Sequence, residues 1–270
     1  MEARLTKEEV EVLHEQADRT FFHTHFKFLR SHKGFRPKNI HMVLGTSHGG
    51  KSTLIRSLLT DICTGAVKQN VLLWLSEETE LEFLSEFYRS GINPDNVKNL
   101  HVLSELDLME RYKTPKNLLR YIEMYCGEND IGLLFFDNIT TSMIYMGRSP
   151  SDQAKISIDL KKMCQLLALP FIIIAHTGAA VTDSSNRLIE MNDIRGGKSI
   201  VNLAQFFYVL QTFHCDSEIY TTIRITKHRG QEVDHRFYKL IYSRKERLYG
   251  RDELVQFKEF KEIYKRRNVL

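Results

Sequence analysis

The segment Gly45–Thr53, GTSHGGKST, constrains the fold of this chain more than any other part of the sequence. It fits the pattern GxxxxGK[ST] without a mismatch, and a chance match in a chain this long has a probability on the order of one per cent. An apolar run, IHMVLG, precedes the segment and a helical pattern follows it. Strand, glycine-rich loop and helix therefore come in the order that a phosphate-binding loop requires.

The residue types of this loop suit a chain of phosphates bound to Mg²⁺. Glycines let the backbone turn its N–H groups toward phosphate oxygens, and the helix that follows presents its positive end to the same anion. We expect Lys51 to reach the β- and γ-phosphates of ATP, and the Ser52 hydroxyl to complete the Mg²⁺ shell. The predicted nucleotide-binding residues are Gly45, Thr46, Ser47, His48, Gly49, Gly50, Lys51, Ser52 and Thr53.

From Asn39 onward, short apolar runs alternate with helical patterns, which predicts an α/β fold with a mostly parallel central sheet flanked by helices. The predicted strands are 40–45, 70–76, 100–104, 131–137 and 171–176, and the predicted helices lie near 51–64, 80–90, 115–126 and 151–168. After residue 200 the pattern predicts successive antiparallel strands at 206–213, 220–228, 235–243 and 246–250. The expected domains are an N-terminal helix (6–30) and linker within 1–38, the core at 39–250, and a C-terminal helix within 251–270, from Asp252 to Arg266.

Composition narrows the class of protein. No run of eighteen apolar residues occurs, and the first residues lack the apolar stretch of a signal peptide, so we expect a cytoplasmic protein. The cysteines form no CxxC pair and are expected to be buried, reduced thiols: Cys63, Cys126, Cys164 and Cys215. A net charge of +4 permits binding to nucleic acid but does not argue for it.

Polar residues follow three of the predicted strands. Asp137 ends IGLLFFD, where a Walker B carboxylate would hold Mg²⁺, although an aspartate there can also cap the next turn. His176 ends FIIIAH and could sense the γ-phosphate or its attacking water, or be satisfied by a neighbouring backbone group. Glu77 and Glu78 follow VLLWLS, where a carboxylate can deprotonate the attacking water or, alternatively, interact with the helix N-terminus.

The order of these motifs resembles the RecA-like motor core, and it is most similar to that of the DnaB-type and plasmid RepA-type hexameric helicases. In that family a glutamate follows the second strand, as in VLLWLSEET, and a Gln or His ends the sensor strand, as in PFIIIAH. The segment at 194–210, IRGGKSIVNLAQFFYVL, looks like the family's Arg-Gly stretch and the strand after it. The resemblance covers about residues 39–245 and implies a catalytic role for Glu77.

The segment ITKHRG (225–230) is similar to a strand of this family that ends in Lys-x-Arg. The resemblance implies that Lys227 and Arg229 reach ATP bound to the neighbouring subunit and stabilise the charge that builds on the γ-phosphoryl oxygens. It also implies a homo-oligomer, with a hexameric ring as the expected assembly. From the residues alone, a basic hairpin end is an equally good interpretation.

Two long segments, 138–153 and 178–199, would project toward the centre of such a ring. In helicases of this type the corresponding loops follow a single strand of nucleic acid. The residues that could serve it are Tyr145 for stacking, and Arg148, Arg187, Arg195 and Lys198 for phosphate contacts, although nearby acidic residues offset their charge.

Three functions therefore stay open at this point. The first is a ring-forming ATPase motor on nucleic acid, such as a helicase in DNA replication. The second is a RecA-like ATPase that acts on a protein partner as a switch or assembly factor. The third is another role on nucleic acid, such as recombination or packaging.

Overall fold

The structure is a computed structural model, and it describes residues 24–31, 33–65, 69–108, 110–178, 187–196, 199–215, 218–229 and 236–255. The strands are β1 (Ile40–Gly45), β2 (Asn70–Leu75), β3 (Leu100–Ser104), β4 (Ile131–Asp137), β5 (Phe171–His176), β6 (Phe206–Cys215), β7 (Glu218–His228), β8 (Phe237–Ser243) and β9 (Leu248–Val255). The helices are α1 (Lys27–Arg30), α2 (Lys51–Thr64), α3 (Glu80–Tyr88), α4 (Glu105–Leu108), α5 (Pro115–Glu128), α6 (Pro150–Leu166) and α7 (Ser199–Leu203), with 3₁₀ turns at Pro94–Val97 and Met191–Asp193.

All the described strands belong to a single sheet with the order β3-β2-β4-β5-β1-β6-β7-β8-β9. Neighbouring strands from β3 to β6 pair in parallel, and those from β6 to β9 pair antiparallel. The predicted α/β architecture, with a mostly parallel sheet extended by C-terminal antiparallel strands, is therefore confirmed. Because β1 to β5 run in parallel, their carboxyl ends lie at one edge of the sheet, where ligands bind in open α/β folds.

Apolar layers cover both faces of the sheet. β1 is buried along its whole length, as expected for a strand with helices on both faces. On one face the core contains Leu54, Leu58 and Phe87 from α2 and α3, and on the other Ile122 and Leu160 from α5 and α6. Three of the four cysteines, Cys63, Cys126 and Cys164, lie inside these layers as free thiols, as predicted, and burial raises the pKa of each to about 12.

The helix predicted for residues 6–30 is wrong at its carboxyl-terminal end. Phe26 has an extended backbone, and a separate helix of four residues, Lys27–Arg30, follows it. The two oxygens of the Asp252 carboxylate accept hydrogen bonds from the N–H groups of Lys27 and Phe28, at 2.6 and 2.8 Å, so a short helix starts afresh there. Residues 6–23 of the predicted helix lie outside the described residues.

The predicted C-terminal helix is also wrong where it begins. Asp252 to Val255 continue β9, which pairs with β8 from Leu248 to Val255. Sheet pairing with β8 and the contact of Asp252 with α1 outweigh the amphipathic pattern at this point. Residues 256–270 lie outside the described part of the chain. No helix among the described residues is long and apolar enough to cross a membrane.

Candidate functional site

The sheet brings the four predicted chemical segments to one edge. The phosphate loop follows β1, Glu77 lies two residues beyond β2, and Asp137 and His176 end β4 and β5. The strand register aligns Gly45 with His176, and Leu75 with Asp137. Residues that are 131 positions apart in sequence, 45 and 176, are thus direct neighbours in the sheet.

These residues form the walls of one pocket of about 480 Å³. Its lining consists of Ser47, His48, Gly50, Lys51, Ser52, Thr53, Glu77, Asp137, Thr141, His176 and Arg195. The pocket therefore contains the phosphate loop, both predicted carboxylates and the predicted sensor. Two of its residues, Thr141 and Arg195, were not predicted to lie beside the nucleotide.

Two glycines of the loop are needed for its close packing. Gly50 has a φ of +86°, in the left-handed region that glycine adopts without strain. A Cβ atom on Gly49 would lie 2.7 Å from Oγ1 and 3.1 Å from the carbonyl oxygen of Thr46. His48, with a φ of +64°, also has a left-handed backbone. Successive left-handed and right-handed residues of this kind turn backbone N–H groups into an anion-binding concavity.

The N-terminus of α2 is open to an anion. Gly50 is the N-cap residue, so the first N–H groups of α2 receive no side-chain cap from it. Ser52 is exposed in the pocket, whereas Lys51 is buried and donates hydrogen bonds from Nζ to the carbonyl oxygens of Gly45, at 3.3 Å, and Thr46. The positive end of α2 and the Lys51 ammonium group therefore lie together where phosphates would bind.

Asp137 lies half-buried at the pocket wall. Burial, with a smaller contribution from the negative charge of Glu77, raises the pKa of Asp137 to about 7, and the positive charge of Lys51 opposes the rise. A carboxylate whose ionised form is disfavoured by burial and by a neighbouring carboxylate is one that a divalent cation would stabilise. No cluster of three or more His, Cys, Asp or Glu side chains in the described residues could hold a metal alone, so Mg²⁺ at Asp137 and Ser52 would need phosphate oxygens as further ligands.

Glu77 and Glu78 occupy different environments. Glu77 lines the pocket, and the pKa of its carboxyl is lowered to about 2 when Nε2 of His176 carries a hydrogen and donates it. Asn138 and Thr141 also lower this pKa by hydrogen bonding, and burial opposes the shift. Burial raises the pKa of Glu78 instead. The N-terminus of α3 is capped by Thr79 and Glu82, each bonding the backbone N–H of the other, so helix capping does not require Glu77.

His176 joins three parts of the pocket. Its Nε2 atom lies 2.9 Å from Nδ2 of Asn138 and 3.3 Å from Oε1 of Glu77, and its Nδ1 atom lies 3.5 Å from Oγ of Ser47 in the phosphate loop. Within the described part of the chain, the groups that contact the imidazole nitrogens are therefore side chains. Asn138 and Thr141 carry no sequence signal of these contacts, because a polar residue just after a strand-ending aspartate is typical of any turn.

Lys227 and Arg229 lie far from this pocket within the same chain. The N–H of Arg229 donates to the carbonyl of Gln205, whose own N–H donates to the carbonyl of Ile40, the first residue of β1. The phosphate loop starts at the last residue of β1, about 16 Å further along the strand. Nζ of Lys227 donates to the carbonyl of Val201 at 3.0 Å. The two predicted cations thus lie toward the amino-terminal end of β1, away from the pocket of their own chain.

The described residues predicted to contact nucleic acid lie in different environments, and they do not form one surface. The prediction for Tyr145 is wrong, because its side chain is 1% exposed within the core and its hydroxyl lies 3.3 Å from Oγ of Ser199, which leaves no face for a base. Arg187 makes two 2.7 Å hydrogen bonds with the Asp193 carboxylate. Arg195 lines the nucleotide pocket instead. Lys198 lies outside the described residues.

Arg148 faces a second, larger groove of about 620 Å³ between α5 and α6. Four other cations line this groove: Lys116, Arg120, Lys155 and Lys162. Glu123, Asp152 and Asp159 also line it, and two of these acids pair with Lys155 and Lys162. The predicted loop around Arg148 ends at Ser149, which caps the N-terminus of α6.

Comparison with known proteins identifies the fold. No protein-family model matches the sequence, and no curated protein matches it. A solved structure of a KaiC-like protein from the hyperthermophilic archaeon Pyrococcus horikoshii superposes with a TM-score of 0.65, covering 87% of this chain and 99% of that one, at 13% sequence identity. The fold is RecA-like. At this level of identity the comparison shows the architecture alone.

Proposed function

We propose that this chain is a Mg²⁺-dependent ATPase that works as an oligomer with active sites shared between subunits. The observation that supports it best is the convergence of the phosphate loop, Glu77, Asp137 and His176 around one pocket at the carboxyl edge of a RecA-like sheet. Hydrolysis of a phosphoanhydride bond requires groups that contact the phosphates, Mg²⁺ and the attacking water, and this pocket contains a candidate for each.

The residues of the pocket have different roles in the proposed hydrolysis of ATP. The loop N–H groups and the Lys51 ammonium group bind the β- and γ-phosphates and offset their charge. Ser52 and Asp137 would hold Mg²⁺, which would supply positive charge to offset that of the phosphate oxygens. Glu77 orients the attacking water and accepts its proton, and His176 lies between Glu77 and the loop, where it contacts the γ-phosphate or that water.

The positions of Lys227 and Arg229 support a shared site. Neither residue lines the pocket of its own chain, and Arg229 is exposed at the far end of β7. A cation at that end is too far from the pocket of its own chain to contact ATP there, and the resemblance to hexameric helicases implies that it reaches ATP on another subunit. We therefore infer that Lys227 and Arg229 act in trans, and that a ring, with a hexamer as the first expectation, is the active form.

Mixing two inactive variants tests this arrangement. Lys51→Ala should abolish ATP binding, and Arg229→Ala should bind ATP with nearly normal affinity while turnover falls about 10³-fold or more. Mixed together, they should recover activity, because some interfaces then combine an intact Lys51 pocket with an intact Arg229. Full turnover by Arg229→Ala, or by a strictly monomeric wild-type chain, would contradict the shared site. Arg244→Ala, in the exposed turn between β8 and β9, is the control for loss of a surface arginine.

For the partner, the resemblance favours single-stranded nucleic acid and a helicase-like role in DNA replication. A protein partner is the second candidate, and the structure offers specific support for it. Tyr145 is buried and Arg187 is paired with Asp193, so two of the expected nucleic-acid contacts are already engaged within the chain. A role in recombination or packaging rests on the same contacts as the helicase.

Steady-state ATP hydrolysis, measured with and without single-stranded DNA or RNA, separates these candidates. About tenfold stimulation that weakens with added salt would support the nucleic-acid motor. Turnover that is indifferent to both polymers would support the protein-directed ATPase. Lys51→Ala is the blank in every case, and no hydrolysis above that blank in any condition would overturn the proposed function.

A further inference from the structure

Asn138 follows Asp137 directly and is fully buried behind the pocket. Its backbone is tied to β2, since its N–H donates to Oγ of Ser76 at 2.9 Å and its carbonyl accepts from the same hydroxyl at 2.8 Å. These bonds hold the Asn138 backbone relative to the strand that precedes Glu77. The Asn138 backbone is therefore anchored to the strand that leads to Glu77, directly after the strand that ends in Asp137.

The direction of the Asn138 amide is set by donors of fixed polarity. The backbone N–H of Thr141 donates to Oδ1 of Asn138 at 3.1 Å. The backbone N–H of His176 donates to Oγ1 of Thr140 at 3.2 Å, which leaves the Thr140 hydroxyl hydrogen to donate to the same Oδ1 at 2.7 Å. A backbone N–H can only donate, so Oδ1 is the oxygen and Nδ2 is the group that faces His176.

Nε2 of His176 has two polar neighbours, of which one requires a hydrogen on Nε2 and the other requires Nε2 without a hydrogen. With a hydrogen, Nε2 donates to Oε1 of Glu77 at 3.3 Å; without one, it accepts from Nδ2 of Asn138 at 2.9 Å. Because the Asn138 amide nitrogen can only donate, it favours the form in which Nε2 is bare. The ring hydrogen then lies on Nδ1, which faces Oγ of Ser47.

We propose that Asn138 is a positioning residue that holds His176 in the tautomer with its hydrogen on Nδ1. This inference rests on the proposed ATPase and adds a residue to it. In this tautomer the imidazole donates no hydrogen to the Glu77 carboxylate, whose other side-chain hydrogen bonds come from Asn138 and Thr141. Losing the imidazole donor makes the carboxylate a better acceptor for the proton of the attacking water. The Nδ1 hydrogen points toward the phosphate loop, where it can donate to a phosphate oxygen.

The imidazole nitrogens of His176 report the tautomer directly. The chain has eleven histidines, so its ¹⁵N-histidine NMR spectrum contains the imidazole signals of all of them. The two signals that are missing from the spectrum of His176→Gln are those of Nδ1 and Nε2 of His176. We expect a bare Nε2 and a hydrogen on Nδ1 in the wild type at neutral pH. In Asn138→Ala the hydrogen should move to Nε2, where Glu77 accepts it. A hydrogen on Nε2 in the wild type, or the same tautomer in both proteins, would overturn the proposal.

Kinetics test whether the tautomer matters for turnover. Asn138→Ala should lower kcat by about tenfold or more while KM for ATP changes by less than about twofold, because binding depends on the loop and Lys51. Asn129→Ala, at the carboxyl end of α5, is the matched control and should change neither. An unchanged kcat in Asn138→Ala would rule out a positioning role. A wild type without ATP turnover would refute the proposed function alone, since the wild-type imidazole spectrum still decides the tautomer.

Discussion

The hydroxyl group of Tyr249, on β9, lies so close to Gly50 of the phosphate loop that a Cβ atom on residue 50 would be 2.3 Å from it. β6 also contacts the loop, since Oγ1 of Thr212 lies 3.4 Å from the carbonyl oxygen of Gly49 and 3.1 Å from Oγ1 of Thr221 on β7. The C-terminal antiparallel strands therefore support the loop that the parallel strands present.

This contact predicts that Gly50→Ala is severely damaging. Alanine would be strained at a φ of +86° and would also collide with Tyr249, so we expect a loss of about 1–3 kcal/mol in the free energy of unfolding and at least about tenfold weaker ATP binding. Chemical denaturation and titration with a fluorescent ATP analogue measure the two effects.

Gly91→Ala provides a matched control for the strain alone. Gly91 has a φ of +81°, and nothing lies within 4 Å of a Cβ built on it. This variant should lose stability through the backbone but bind ATP normally. Normal ATP binding by Gly50→Ala would show that the Tyr249 contact does not shape the loop.

Asp137→Asn should remove the contribution of Mg²⁺ to nucleotide binding. Without the carboxylate, affinity measured with Mg²⁺ should fall to the affinity measured in EDTA, which itself should change little because Lys51 and the loop remain. Asp130→Asn is the control, because Asp130 precedes the other end of β4. A retained Mg²⁺ effect in Asp137→Asn would show that the metal is held elsewhere.

Glu105 gives the stability of the chain a dependence on pH. Its carboxylate is 1% exposed and accepts hydrogen bonds from Oγ of Ser142 at 2.5 Å and the N–H of Met143 at 2.8 Å, yet burial raises its pKa from 4.5 to about 7. Between these pH values the folded chain binds more protons than the unfolded chain, so stability falls as pH rises. The loss by pH 8 should reach about 3 kcal/mol at most.

Glu105→Gln should remove this part of the pH dependence. Urea denaturation at pH 5, 6.5 and 8 would show the difference between wild type and variant shift in favour of glutamine as pH rises. Glu80→Gln, at an exposed position in the first turn of α3, should follow the wild type. Parallel curves for wild type and Glu105→Gln would mean that Glu105 is ionised in the folded chain throughout this range.

Asp252→Ala should loosen the segment before β1. Its carboxylate accepts the N–H groups of Lys27 and Phe28 in a buried position, so their loss should cost about 1–3 kcal/mol. Asp252→Asn keeps one acceptor oxygen and should lose less. Denaturation measures the cost, and faster proteolysis near residue 27 in Asp252→Ala would localise it. Equal stability of all three proteins would mean that water replaces the carboxylate without loss.

The sequence alone determined the phosphate loop and the elements around it. The GTSHGGKST pattern and the apolar runs that became β1 to β5 are local signals, because the geometry of a loop or strand is set by residues a few positions apart. For the same reason Asp137 and His176 could be placed at strand ends. The pattern failed at Phe26 and Asp252, where a contact between distant segments interrupts a helix and extends a strand.

Only the tertiary structure decided what surrounds each of these side chains. It brought Asn138 against His176, buried Tyr145 in the core, and separated Arg229 from the pocket of its own chain. Burial and hydrogen-bond partners depend on strand order and crossover connections, which bring together residues far apart in sequence. The residue types at positions 138 and 145 carry no local signal of those contacts, so their roles became clear only in the folded chain.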